Sequence, residues 1–186
     1  MRGTRQRRLQ VSALTILGIP ETAPREASYG RLAEVVRERF TRPRQTLREL
    51  FSRITYNILC GNTDDHARNH AAFWDGSMLA LTPAYDICSY LRGGGEATQA
   101  MMLGAPDDPY RYSQIAGALD RAAVYGLDRS EAREIAEAQL AIIGEHWDEV
   151  CDEARLTAHE RAMFRRVFPH RYALEGFVPA TSGNPA

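Results

Sequence analysis

Apolar residues recur along most of this chain at intervals of three and four, the pattern of helices with one buried face. Residues 9–17 form an apolar run that Gly18-Ile19-Pro20 stops. Ser28 is placed to cap a helix carrying Leu32, Val35, Val36 and Phe40 on one face, and Thr41-Arg42-Pro43 breaks it. The next helix is the clearest, with Leu47, Leu50, Phe51, Ile54 and Ile58 on one side and a stop at Gly61. Polar residues 62–69 then emerge as a loop at a buried helix end, where a functional loop is firmly held. Short apolar runs at 71–74 and 78–81 flank Asp75-Gly76-Ser77, which predicts a hairpin leading to Asp86. Residues 93–109 read as a long loop region, and Asp107-Asp108-Pro109 predicts a helix start near Tyr112 with Ile115, Leu119 and Ala122 inside. Asp128 with Glu131 forms a capping-box pair ahead of a long helix whose apolar stripe is Ala132, Ile135, Ala136, Leu140, Ile143, Trp147 and Val150. Thr157 with Glu160 forms a second pair ahead of Met163, Phe164 and Val167. Periodicity is lost from Pro169, and residues 179–186 read as a disordered tail. The expectation is one mainly helical domain over residues 1–178, without repeats or internal boundaries.

Composition narrows the class. An apolar fraction of 44% suffices for a packed core, and a net charge of -1 gives no general attraction to nucleic acid or membrane. No apolar stretch approaches the roughly 20 residues of a membrane span. The basic start (Arg2, Arg5, Arg7, Arg8) is not followed by the apolar segment of a signal peptide. It reads either as a nucleic-acid contact or as a solvated segment where another unit attaches. Cys60, Cys88 and Cys151 are odd in number and widely spaced, so reduced thiols in a cytoplasmic protein are expected, with Cys60 a small buried apolar residue. All 23 basic residues are Arg. Chemistry that needs a Lys must therefore draw it from outside these residues.

The candidate chemistry sits in Gly61-Asn62-Thr63-Asp64-Asp65-His66-Ala67-Arg68-Asn69 and in Pro83-Ala84-Tyr85-Asp86. An Asp, an Asn five positions on and a second Asp further along are the polar set of phosphoryl transfer. One carboxylate orients a hydroxyl, and an amide with a carboxylate holds magnesium. Two other readings use the same residues. Asp64 and Asp65 can cap a turn, with Asn69 capping the next segment. His66 and His70, four apart, can hold zinc with Asp64 or Asp65, although the Glu of a His-Glu-x-x-His helix is missing.

The surrounding words favour the first reading. Asn57-x-x-x-Gly61-Asn62-x-Asp64-x-His66-x-Arg68-Asn69, followed by Leu81-x-Pro83-Ala84-Tyr85-Asp86, resembles the C-terminal lobe of the HipA family. These are bacterial serine/threonine kinases that act as toxins in toxin–antitoxin pairs. Their pattern is Gly-Asn-x-Asp-x-His-x-Lys-Asn, then Leu-x-Pro-x-Tyr-Asp, and Arg68 stands here at the usual Lys. Ser12-Ala13-Leu14-Thr15 and Ala27-Ser28-Tyr29 are similar to the stretch leading into that lobe, so the resemblance spans about residues 8–170. It implies a mainly α, protein-kinase-like C-terminal lobe with a small β-hairpin. By position it implies that Asp64 is catalytic and that Asn69 and Asp86 hold magnesium bridging ATP phosphates. Asn62, His66 and Arg68 would then brace the loop or face a phosphate. It further implies a helix-turn-helix, HipB-like antitoxin, DNA reached only through that antitoxin, and a translation-related protein substrate.

In this family a small N-terminal lobe grips ATP with a Gly-rich loop and a Lys. Neither is found here: Gly-x-Gly-x-x-Gly and the P-loop pattern are absent, and Gly93-Gly94-Gly95 has no helix start after it. The expectation is a large lobe without its small lobe, inactive as an isolated chain. Three readings stay open: a second polypeptide complements it, the reading frame is truncated or decayed, or the lobe is a non-catalytic module that binds an antitoxin or a partner kinase chain.

Overall fold

The computed structural model describes residues 8–90, 95–166 and 168–179. The expectations for Arg2, Arg5, Arg7, Gly93-Gly94, Val167 and residues 180–186 lie outside the described residues. Among the described residues, six α-helices surround one core and carry a three-stranded antiparallel sheet at one side.

The first apolar run divides in two. Leu9–Ser12 is strand β1 and Ala13–Ile16 is the short helix α1, whose N-cap Ser12 accepts the Thr15 N–H. A hairpin was expected; β1 adds a third strand to it. The hairpin itself is Ala71–Trp74 (β2) and Leu79–Leu81 (β3), and β1 pairs with β2 from Leu9 opposite Trp74 to Ser12 opposite Ala71. Asp75 closes the turn by accepting the Ser77 and Met78 N–H groups, each at 2.8 Å, and these bonds hold its carboxyl below the usual carboxylate range.

Helix α2 (Tyr29–Arg39) starts at the expected cap, with Ser28 Oγ accepting the Arg31 N–H at 3.0 Å. Helix α3 (Pro43–Cys60) is the spine. Pro43 opens it where its missing N–H costs nothing. Leu50, Phe51, Ile54, Ile58 and Leu59 are almost completely buried, each contributing about 1.5–3 kcal/mol. Gly61 ends α3 in the left-handed conformation (φ 72°), with its N–H on Ile58 C=O and the Asn62 N–H on Asn57 C=O. That closure fixes the direction in which the polar loop leaves the core.

Helix α5 (Arg129–Glu153) has the expected capping box from Asp128 and Glu131, and α6 (Ala158–Phe164) has the one from Thr157 and Glu160. Its stripe buries Ala132, Ile135, Ala136 and Ile143, but Val150 is 57% exposed, because the core ends before the last turns of α5 do. Trp147 is half-buried against Phe168, with ring centroids 5.9 Å apart. The helix expected from Tyr112 is shorter: α4 runs Ile115–Leu119, and Ala122 lies in a separate 3-10 turn, Ala122–Tyr125. Asp108 does not cap α4. It accepts the Tyr110 N–H and pairs with Arg121 at 2.8 Å. No helix among the described residues is long and apolar enough to cross a membrane.

The start of α2 is clamped against the segment around Met102. The Tyr29 N–H donates to Met102 C=O at 2.9 Å, and a Cβ on Gly30 would lie 2.1 Å from the Gly104 carbonyl oxygen. Gly30→Ala is expected to destabilise by about 1–3 kcal/mol, because backbone must shift to admit the methyl. Gly144→Ala is the control. Nothing lies within 4 Å of its added Cβ, and the change should stabilise by about 0.4–1 kcal/mol. Urea midpoints that moved in the same direction for both variants would contradict this packing.

Candidate functional site

The end of α3 and the start of β2 hold residues 62–69 between them. The loop carries one 3-10 turn, Ala67–Asn69, before β2 begins, and Ala13 N–H anchors the His70 carbonyl at 2.7 Å. The second segment, 82–86, follows β3. It is pinned at Thr82, whose N–H donates to Ala71 C=O and whose carbonyl accepts Arg53 Nη2 at 2.6 Å from the middle of α3.

Asn62 ties the two segments together. It is 1% exposed, and its Nδ2 donates to Asn57 Oδ1 at 3.0 Å and to the Asp86 carbonyl at 3.4 Å. Its Oδ1 accepts the Asp64 N–H at 3.3 Å. The Asn62 amide is thus spent on bracing, which leaves nothing to face a phosphate. A second tie runs from Tyr85, whose hydroxyl donates to the Arg68 carbonyl at 2.6 Å. Burial, then the neighbouring Asp86 charge, raises the Tyr85 hydroxyl above the ordinary tyrosine range.

Between these braces lie the remaining polar groups of the two segments. Asp64 and Asp86 are exposed, and neither carboxylate bonds to another described residue. Asn69 is 7% exposed; its Nδ2 donates to the Asp64 carbonyl at 3.3 Å, which leaves Oδ1 as its free end. Asp86 has φ 57°, a left-handed backbone that a non-glycine residue adopts only where its surroundings impose it. Partial desolvation, then the charges of Asp64, Cys88 and Asp86, raise the Tyr90 hydroxyl above the ordinary tyrosine range. The Arg68 guanidinium is half-buried and unpaired among the described residues. His66 is half-buried, and its Nδ1 is enclosed without a partner.

The loop's most buried charge is one to which sequence reasoning gave no role beyond a turn cap or a zinc ligand. Asp65 is 2% exposed and accepts bonds from Tyr29 Oη, from Asn57 Nδ2 at 2.6 Å and from His70 Nε2 at 3.0 Å. Burial and the Asp65 charge push the Tyr29 hydroxyl well above its ordinary value, so it stays a donor. The sequence signals were Ala27-Ser28-Tyr29 and Asn57, both inside the family pattern but without an obvious target. His70 faces Asp65, and no group of three or more His, Cys, Asp or Glu among the described residues is arranged to hold a metal ion. The zinc reading therefore has no support in the structure.

The donor set that remains, two carboxylates and one amide oxygen, is all oxygen. It suits a hard cation that completes its shell with water and phosphate oxygens.

Of the cysteines, Cys60 is buried, and burial pushes its thiol up to about 11; Cys151 is also buried and Cys88 exposed. A disulfide reagent should titrate one thiol in the native chain and three after denaturation. Two fast thiols in the native chain would contradict the burial of Cys60 and Cys151.

A helical lobe with a small sheet, and a polar loop delivered at the end of its central helix, defines a protein-kinase-like large lobe. The family model of the HipA-like C-terminal domain matches residues 2–147, and the chain belongs to that family. Among solved structures, the fold is similar to HipA of a Shewanella oneidensis MR-1 toxin–antitoxin system, in a complex with HipB and operator DNA. The TM-score is 0.68 at 22% identity, over 88% of this chain and 44% of that one. The chain thus spans less than half of that protein. No curated protein matches the sequence significantly.

Proposed function

We propose that the chain is the large lobe of a HipA-like serine/threonine protein kinase, which transfers the γ-phosphoryl group of ATP to a protein hydroxyl. One observation carries the reading. The Asp64 and Asp86 carboxylates are exposed and unpaired among the described residues, and the more enclosed Asn69 keeps its Oδ1 free, on two segments that Asn62 and Tyr85 lock together. Asp64 would accept a hydrogen bond from the substrate hydroxyl and take its proton as the oxygen attacks. Asn69 Oδ1 and the Asp86 carboxylate would hold magnesium, which supplies charge neutralisation at the phosphates when bound. Arg68, unpaired, would face a phosphate. His66 and Asn62 would keep the loop in shape. With no Lys and no Gly-rich loop among the 186 residues, the groups that grip ATP come from a small lobe outside them, on the same longer protein or on a separate chain.

The lobe is proposed to extend over residues 1–178, since Tyr172, Ala173 and Phe177 are buried beyond the end of the family match. The presence of HipB in the similar structure supports a HipB-like helix-turn-helix antitoxin as partner, which would bring the lobe to DNA indirectly. A cytoplasmic location and a translation-related substrate go with that reading.

The test is radiolabelled ATP with the purified chain, alone and with a polypeptide supplying the small lobe, against Asp64→Ala. Transfer that appears on complementation and disappears with Asp64→Ala is the expected result. If no condition gives Asp64-dependent transfer while an antitoxin is still captured, the lobe is a binding module.

A further inference from the structure

Every role proposed so far falls on an outward-facing group or on its brace, whereas the most enclosed carboxylate of the same loop has none. Four parts of the fold converge on Asp65. Tyr29 comes from the first turn of α2, Asn57 from the last turn of α3 and His70 from the start of β2, while Asp65 itself belongs to the loop. All four residues are at most 2% exposed. Tyr29 and His70 also touch each other, with Oη 3.3 Å from Nε2 and the rings edge to face at 5.3 Å. Tyr29 Oη and Asn57 Nδ2 donate to one oxygen of Asp65 and His70 Nε2 lies 3.0 Å from the other, so with the ring proton on Nε2 both arms must accept, which a carboxylate does and an amide, with NH2 on one arm, does not. Asp65 points inward and its neighbour Asp64 is exposed.

We propose that Asp65, held by Tyr29, Asn57 and His70, is a positioning residue that keeps Asp64 turned outward beside Asn69 and Asp86. The proposal rests on the kinase reading for what Asp64 then does, but not for the geometry. It makes a distinctive claim about His70, whose Nδ1 is buried with no partner. Nε2 must carry the proton given to Asp65. In Asp65→Asn, with the amide oxygen kept on the arm that Tyr29 and Asn57 bond, the NH2 group would face Nε2, a clash that moving the ring proton to the unused Nδ1 relieves.

The experiment uses the whole chain and two NMR readouts, the imidazole nitrogens of His70 and amide hydrogen exchange. In the wild type Nε2 should be protonated. In Asp65→Asn it should lose its proton, and amides of residues 62–69 should exchange at least about tenfold faster while Ile135 and Ala136 in α5 do not change, which marks a local opening. Tyr29→Phe, a milder variant that keeps the ring, should accelerate the same amides. His70→Gln, which retains a donor, should restore wild-type exchange where His70→Leu does not. Loop amides that keep the wild-type rate in Asp65→Asn and Tyr29→Phe, or that accelerate only in step with Ile135, would overturn the positioning role. Absence of phosphoryl transfer in the wild type complemented with a small lobe would remove the kinase reading and leave these exchange rates as they are.

Discussion

Asp65→Ala is expected to lose about 3–5 kcal/mol of folding stability in urea denaturation, since it strands several buried donors at about 1–3 kcal/mol each. That is a large part of the roughly 5–15 kcal/mol by which a domain is stable. Truncation leaves the Tyr29 hydroxyl, the Asn57 amide and His70 Nε2 as donors in a site closed to water, each with a desolvation cost no longer offset. Asp64→Ala, one residue away, should stay within about 0.5 kcal/mol of wild type, because that carboxylate is exposed and unpaired. Similar losses for the two variants would mean that Asp65 does not organise the loop.

The second large effect concerns activity. In the complemented kinase, Asp64→Ala should lower phosphoryl transfer by about 10²–10⁴-fold, the range in which a positioned proton acceptor acts. Asn69→Ala and Asp86→Ala should lower it as well, with a higher magnesium requirement, whereas Asp64→Ala should leave that requirement unchanged. Stability and transfer are thereby separated: adjacent aspartates dominate different measurements. An Asp64→Ala enzyme with transfer within about threefold of wild type would exclude this carboxylate as the proton acceptor.

The sequence made some of this legible and hid the rest for physical reasons. Helices α3 and α5 carry their own punctuation, Pro43 and Gly61 for one and the Asp128–Glu131 box for the other, so their ends were readable from local chemistry. Asp64, Asn69 and Asp86 were marked by spacing and by the words around them. The loop and the 82–86 segment that carry them lie together, tied through Asn62 and Tyr85. Strand β1 was not separable, since four residues at the head of an apolar run show too little alternation and the partner Ala71–Trp74 lies some 60 positions away. Asp108 resembled a helix cap because Asp-Pro often is one; a tertiary pairing with Arg121 decided otherwise. Asp65 was the deepest omission. Its burial depends on Tyr29, 36 residues upstream, and no local pattern distinguishes an inward Asp from the outward one beside it.

The central claim is that Asp64, Asn69 and Asp86 form one seat for a divalent cation carried with phosphates. Titration of the labelled chain, complemented with a polypeptide supplying the small lobe, with Mn²⁺ and ATP, followed by paramagnetic broadening of its amide signals, tests it most directly. The last turns of α5 supply an internal competitor, since Glu145, Asp148, Glu149, Asp152 and Glu153 crowd its exposed side. The account predicts that broadening centres on residues 64, 69 and 86, and that Asp86→Ala removes it while the α5 signals stay sharp. Broadening that centres on the α5 acids, or that survives Asp86→Ala unchanged, would contradict it.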